Sequence, residues 1–300
     1  MYNAISLDLT RFRRLPPHVD EPGRPSPDSR HLLRRVLLHV PRFDPRTLRE
    51  PSVLEQEVER LAAELSVGIA SAPAPLLLPR PDDVSLNRCT LIEVPEELAA
   101  AIHTSFHYLG AARKGSVHLG LCAPTTDLAR GLLALATLSD LDIPHLRRSL
   151  ATFTDNSTSA LVLSRLFGFA GAPRNTITYL LGRVFAFLRA RRPEVRVLVT
   201  YLNPNLGFQG TVYRASNWQL YGLEHKRRYL YLDGNYLTER SAIELFGTND
   251  YGKLRCLVGT RIDRSKTPLR PLEVYAYWLR RSRFPTTPLD MEPAAETEAP

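Results

Sequence analysis

LVLSRLFGFAGAPRNTITYLLGRVFAFLRARRPEVRVLVTYL, residues 161–202, decides the fold. It opens on an apolar run, 161–169, bounded by a Gly-Ala-Pro turn, which reads as a buried strand. Leu180, Leu181, Val184, Phe185 and Leu188 then recur at helical spacing, and the pattern ends on basic residues and Pro193, the signals of a helix C-terminus. A second apolar run, VRVLVTYL, follows. Strand, turn, amphipathic helix and strand make a crossover unit, which favours parallel pairing of its two strands. The turn carries Arg174, Asn175, Thr176 and Thr178 at the start of the helix. Unpaired backbone N–H groups and the positive end of the helix dipole favour a phosphate there, and Asn175 or Thr176 equally suits the N-cap. Neither GxxxxGK nor GxGxxG is present, which argues against a P-loop and against a dinucleotide fingerprint.

Upstream, CTLIEVP and SVHLGLCAP read as strands around a helix that begins in PEELAAAIHTSFHYL, where Pro95 and two acids mark the first turn. GLLALATLSDL reads as strand, helix or both. Downstream, TYLNPNLGFQGTVYRASNW places Gly207 and Gly210 before a short helix bearing Tyr213, with Trp218 at its far end. A strand, a DG turn and a helix from about Thr238 follow. Residues 1–85 read as a partly helical N-terminal extension: a Pro-rich mobile loop over 16–31, then a helical stripe over 48–65. A single domain over 86–285 and a disordered acidic tail over 286–300 complete the expected organisation.

The charge is uneven. From Arg165 to Arg283, 21 Lys and Arg face 8 Asp and Glu, whereas 284–300 holds four acids and no base. A basic half suits a polyanion, nucleic acid being commonest. The absence of a long apolar run and of a signal-like N-terminus predicts a cytoplasmic protein without a membrane partner. Cys89, Cys122 and Cys256 are scattered singly and are expected in the core, with no disulfide or structural zinc.

The order strand, phosphate-ready turn, amphipathic helix, strand, short helix with a tyrosine resembles the acyl-CoA-binding core of the GNAT acyltransferases. The resemblance implies an α+β or α/β fold, a mixed central sheet flanked by helices. It implies acetyl-CoA held at Arg174, Asn175, Thr176 and Thr178, although PRNTIT lacks the glycines usual there. It also implies Tyr213 as general acid and oxyanion donors from the strand around Phe167–Phe169. More narrowly, TYLNPNLGFQGTVYRASNWQLYG, the His107-Tyr108 pair and the PRNT turn together resemble the Mom proteins, phage-type DNA-modification enzymes. That family implies transfer to the exocyclic amine of adenine in double-stranded DNA, a methylcarbamoyl-type modification. Acetyl-CoA and iron are implicated there. The implied catalytic residues are Tyr213, His107, Tyr108 and Asn203, and the implied iron ligands His107, Tyr108 and Tyr213, with Asn203 standing where the family has Asp. An Asn carbonyl is neutral, so affinity for Fe(II) should fall.

A base inside a duplex must be turned out, which asks for aromatic and amide side chains at the pocket and cations for phosphates. Asn205, Phe208 and Trp218 are the candidates for the first; Arg214, Lys226, Arg227 and Arg228 for the second. Two alternatives stay open: a GNAT acetyltransferase for another amine or an RNA base, and a non-catalytic nucleic-acid-binding accessory protein of a phage or mobile element.

Overall fold

A computed structural model describes residues 72, 76, 84–107, 116–125, 127–141, 144–151, 160–225, 228, 230–233, 235–237, 239–264, 270–280 and 288–291. The expected loop over 16–31 and helix over 48–65 lie outside the described residues, as do Tyr108, Lys226 and Arg227.

In chain order the elements are β1 (Thr90–Glu93), α1 (Glu96–Phe106), β2 (Val117–Cys122), β3 (Leu132–Asp140), α2 (Pro144–Ala151), β4 (Ala160–Gly168), α3 (Thr176–Arg191), β5 (Val197–Leu202), α4 (Thr211–Ala215), β6 (Gln219–Glu224), β7 (Leu230–Leu232), β8 (Asn235–Leu237), α5 (Glu239–Phe246), α6 (Tyr251–Val258), β9 (Ile262–Arg264), β10 (Leu272–Trp278) and β11 (Leu289–Met291). The described residues form an eight-stranded sheet in the order β1-β2-β3-β4-β5-β10-β6-β11 and a three-stranded sheet, β8-β7-β9. This is the mixed central sheet flanked by helices that the resemblance implies. The crossover unit is there: β4 and β5 pair in parallel around α3, while β1 to β4, and β10 with both β5 and β6, pair antiparallel.

Helix α3 forms on the periodicity noted above, and Leu180, Leu181, Val184, Phe185 and Leu188 are all buried. They pack with Leu119, Leu121, Leu138, Leu163 and Leu198 on one face of the sheet. The opposite face is covered in two places. Ala99, Ile102 and Phe106 of α1 pack on Leu132, Leu135, Phe167 and Phe169; Leu146 and Leu150 of α2 pack on Val162, Val199 and Val274. GLLALATLSDL resolves into a helical turn ending at Gly131 followed by β3, whose first eight residues are buried. A chain buried on both faces reads as a continuous apolar run, which is why its period was ambiguous.

Three expectations are corrected. Cys89 and Cys122 are buried, but Cys256 is exposed on α6. The region 286–300 is not all outside the sheet, because Leu289–Met291 pairs in parallel with Gly222–Glu224; too short and polar a run to signal a strand, it is held by the free edge of β6. The boundary at 85 is also too late, since Leu76 is 1% exposed and packs with Val94, Ile102 and Phe106.

Candidate active site

β4 and β5 pair over only three residues, Ala160↔Val197 to Val162↔Val199. Beyond that point β5 stays with β10, Thr200 opposite Tyr275 and Leu202 opposite Glu273, while β4 stays with β3. The two central strands therefore diverge, and the sheet opens as a fork toward their C-terminal ends. A bulge helps to turn β4 away: Leu163 faces Leu138 and Arg165 faces Thr137, so Ser164 is the extra residue. Of the strand expected to give oxyanion donors, Phe169 N–H is donated to the Leu133 carbonyl at 3.0 Å, and Phe167 and Phe169 are packed with Phe106 in an aromatic cluster. Beyond Val162 the backbone of β4 has no pairing with β5.

Thr200 marks the crotch. Its hydroxyl donates to the Leu163 carbonyl across the fork at 2.9 Å, and the Tyr213 phenol lies beside it. Tyr213 is brought there by α4, whose entry needs Gly207 and Gly210 in the left-handed region, at φ of 78° and 65°. Burial raises the Tyr213 pKa above its ordinary value, and the neighbouring Thr200 hydroxyl opposes this. The phenol thus keeps its proton at neutral pH. Its ring packs on Trp218 and Tyr275, with centroids 5.4 Å away in each case.

The residues expected to hold the cofactor sit at the open end of the fork. Asn175 is the α3 N-cap, in the left-handed region, but its side chain makes no capping bond. Thr176 donates to the Pro173 carbonyl and Thr178 to the Asn175 carbonyl, so both hydroxyls point back into the turn. Arg174 is exposed, and no acid lies in the first turn. An anion would meet the backbone N–H groups of an uncapped helix start flanked by one guanidinium, which fits a pyrophosphate.

On the α1 face lies a cluster that sequence reasoning only touched at His107. His118, Thr137 and Arg165 stand side by side across β2, β3 and β4, and His103 reaches the same row from α1. Thr137 Oγ1 is 2.8 Å from His103 Nε2 and 2.9 Å from His118 Nδ1. His107, at the end of α1, lies with its ring centroid 5.8 Å from that of His103. Burial lowers the pKa of His103 to about 3, with the charge of Arg165 acting in the same direction; His107 is lowered for the same two reasons. His118 is also lowered by burial. The three rings are neutral at pH 7. A four-residue spacing places His103 and His107 on one helix face, a signal available in the sequence; Thr137, Thr200 and Arg165 carried none.

Of the implied iron set Tyr108 lies outside the described residues, and what surrounds Asn203 and His107 does not suit a cation. Asn203 Oδ1 is turned into its own loop, where it accepts from the backbone and side-chain N–H of Asn205, and the Arg165 charge disfavours a cation beside His107. Among the described residues no group of three or more His, Cys, Asp or Glu side chains is placed to hold a metal ion.

The nucleic-acid candidates scatter. Asn205 is 0% exposed and clamps Arg270, donating to its carbonyl and accepting from its N–H, so its amide is spent on holding the chain together. Trp218 is core, 3% exposed and packed on Phe185, Tyr213 and Tyr277. Phe208 is half-buried against the α3 face. Arg214 is exposed but donates to the Tyr275 hydroxyl, which donates in turn to Glu273. Arg228 is half-buried.

A family model for the Mom protein family matches residues 88–268, and the chain belongs to that family. No curated protein sequence matches it. Similar solved structures include Arabidopsis thaliana NAA60 in complex with acetyl-CoA, at 12% identity and a TM-score of 0.36, covering 63% of this chain and 98% of that one. Spermidine/spermine N-acetyltransferase SpeG from Vibrio cholerae, solved with manganese ions, is 7% identical at a TM-score of 0.34, over 64% of this chain and 94% of that one. Nourseothricin acetyltransferase is 12% identical at a TM-score of 0.28, over 56% and 67%. Likeness at this level carries no argument about the chemistry. No helix among the described residues is long and apolar enough to cross a membrane.

Proposed function

We propose that this protein is an acyl-CoA-dependent transferase that acylates the exocyclic amine of adenine in double-stranded DNA. The observation that carries the reading is the placement of the Tyr213 phenol, its ring packed on Trp218 and Tyr275, at the crotch of the β4–β5 fork beside Thr200. When bound, acetyl-CoA supplies an acyl group activated as a thioester. The residues of the chain do the rest. The backbone of 163–166, freed from β5 by the divergence, offers N–H donors to a developing oxyanion. Tyr213 holds a proton at its hydroxyl oxygen for a departing thiolate, and burial keeps it there. The start of α3 with Arg174 receives the pyrophosphate. Membership of the Mom family and the excess of basic residues over 165–283 favour DNA as the acceptor.

The test is mass spectrometry of nucleosides from the DNA of cells expressing the protein. A modified adenine nucleoside is expected with the wild type; with Tyr213→Phe its yield falls about a hundredfold, since general-acid groups contribute on that order. Acetyl-CoA should raise the Tm of both proteins equally, because the phenol acts on the reaction rather than on binding. DNA of unaltered nucleoside mass in wild-type-expressing cells would overturn the reading.

A further inference from the structure

Between β6 and β10 the chain inserts residues 225–270, a unit for which the acyl-transfer reading has no use. It has its own sheet, β8-β7-β9, and its own apolar core of Leu230, Leu232, Leu237, Ala242, Leu254 and Ile262. Its helices α5 and α6 are joined by residues 247–250 alone. The connection begins on Gly247, at φ +72°, and ends on Asp250, whose carboxylate accepts from Lys253 N–H at 2.8 Å as the α6 N-cap. A short glycine-bearing turn between two helices is the connection that helix-turn-helix units use, whose second helix enters a DNA groove.

Helix α6 is anchored along one side and open along the other. Leu254 is buried, with Tyr251 and Val258 half-buried beside it; Lys253, Arg255 and Leu257 face outward, Leu257 at 60% exposure. With its side chains a helix is about 10–12 Å across, which fits a B-DNA major groove about 12 Å wide. The cations gather at its start. Arg255 donates to the Tyr251 hydroxyl at 3.1 Å, and the Arg264 guanidinium lies 4.7 Å from the centroid of the same ring. Of the acids whose side chains are described in the unit, Asp250 caps α6, Asp233 pairs with Arg261 and Asp263 accepts from Arg264 N–H. Over 225–270 there are ten Lys and Arg against five Asp and Glu.

The unit is also well placed. β6 leaves the sheet at Glu224, opposite Leu272 of β10, and Glu273 is opposite Leu202, the last residue of β5. The insertion therefore rises from the end of the sheet onto which the fork opens, and the buried Asn205 fastens its exit at Arg270. We infer that residues 225–270 form a DNA-docking unit whose α6 lies in the major groove, Lys253 and Arg255 meeting phosphates and base edges while Leu257 offers an apolar contact. Duplex held there lies beside the mouth of the fork, where a nucleotide turned out of the stack can enter.

This rests on DNA being the acceptor, and two measurements keep the two apart. Fluorescence anisotropy with a short labelled duplex should show Lys253→Gln/Arg255→Gln binding at least about tenfold more weakly, with the slope of log K against log salt smaller by about 2. Both side chains are exposed, so Tm and the Tm rise on adding acetyl-CoA should be unchanged. Nucleoside mass spectrometry should show modification reduced with the double variant. Wild-type duplex affinity and undiminished modification in the double variant would overturn the docking unit and leave the acyl-transfer reading standing; no modification even by the wild type sinks that reading instead. A double variant that binds duplex normally but changes oligomeric state in sedimentation also overturns the docking, marking α6 as a contact between copies of this chain. So does a wild type that binds no duplex.

Discussion

Gly210 shows how one residue sets the candidate site. Its φ of 65° lies where L side chains are strained, and a Cβ there would meet the Tyr275 hydroxyl at 2.5 Å and its ring carbon at 2.9 Å. Tyr275 cannot yield easily, since its hydroxyl is held between Arg214 and Glu273 and its ring packs on Tyr213. Gly210→Ala should therefore act twice: about 1–3 kcal/mol of stability lost to backbone strain, and a displaced Tyr213. The expected result is a Tm lower by several degrees and a nucleoside yield that stays reduced even at a temperature where the variant is folded. Rescue to wild-type yield at that temperature would mean that Tyr275 moves aside without disturbing the fork.

At the scale of elements, α1 docks on the sheet through apolar residues at one end and through imidazoles at the other. His103 has 0% exposure, one ring nitrogen on Thr137 and the other without a hydrogen-bond partner. The ring is accommodated only as a neutral group. Its folded pKa of about 3 lies below the value of about 6.5 that it regains on unfolding, so the unfolded chain binds the proton more readily. The stability it contributes is complete above pH 6.5 and is lost as pH falls toward 3, about 2 kcal/mol for this residue between pH 6.5 and 5. His107 and His118 act in the same direction. A Tm that falls steeply from pH 7 to 5, less so in His103→Gln, is expected; a flat profile would mean that the cluster is hydrated. Such contacts also explain what was legible in the sequence. The crossover β4–α3–β5 was, because periodicity and turn chemistry are local, and so were the two left-handed glycines and the tyrosine that follows them. The fork was not, since a three-residue pairing depends on β10, which arrives some seventy residues later to take the far edge of β5. Asn205 and Trp218 misled for the same reason: a polar or aromatic residue in a turn-rich stretch looks available until the strand that encloses it is known.

For the molecule as a whole, the extent of the folded domain is read from burial rather than from composition. The stretch before residue 84 reads as part of an N-terminal extension, yet Leu76 is 1% exposed and closes the cluster formed by Val94 after β1 and Ala99, Ile102 and Phe106 of α1 with Phe167 and Phe169. That cluster adjoins the histidines, and it fixes the register of α1 over β3 and β4 on the face opposite Tyr213. Removing a leucine from such a site costs the transfer free energy of its methylenes and leaves a cavity, about 3 kcal/mol in total for Leu76→Ala. In a domain of this size that corresponds to a Tm lower by roughly 6–12 °C. A protein beginning at residue 84 should melt below one beginning at residue 70 by as much as Leu76→Ala lowers the full chain. Because the cluster supports α1 and not the fork itself, acetyl-CoA should still raise the Tm of the shortened protein. Equal melting of the proteins beginning at 70 and at 84 would place the domain boundary back at residue 85 and make Leu76 dispensable to the core it covers.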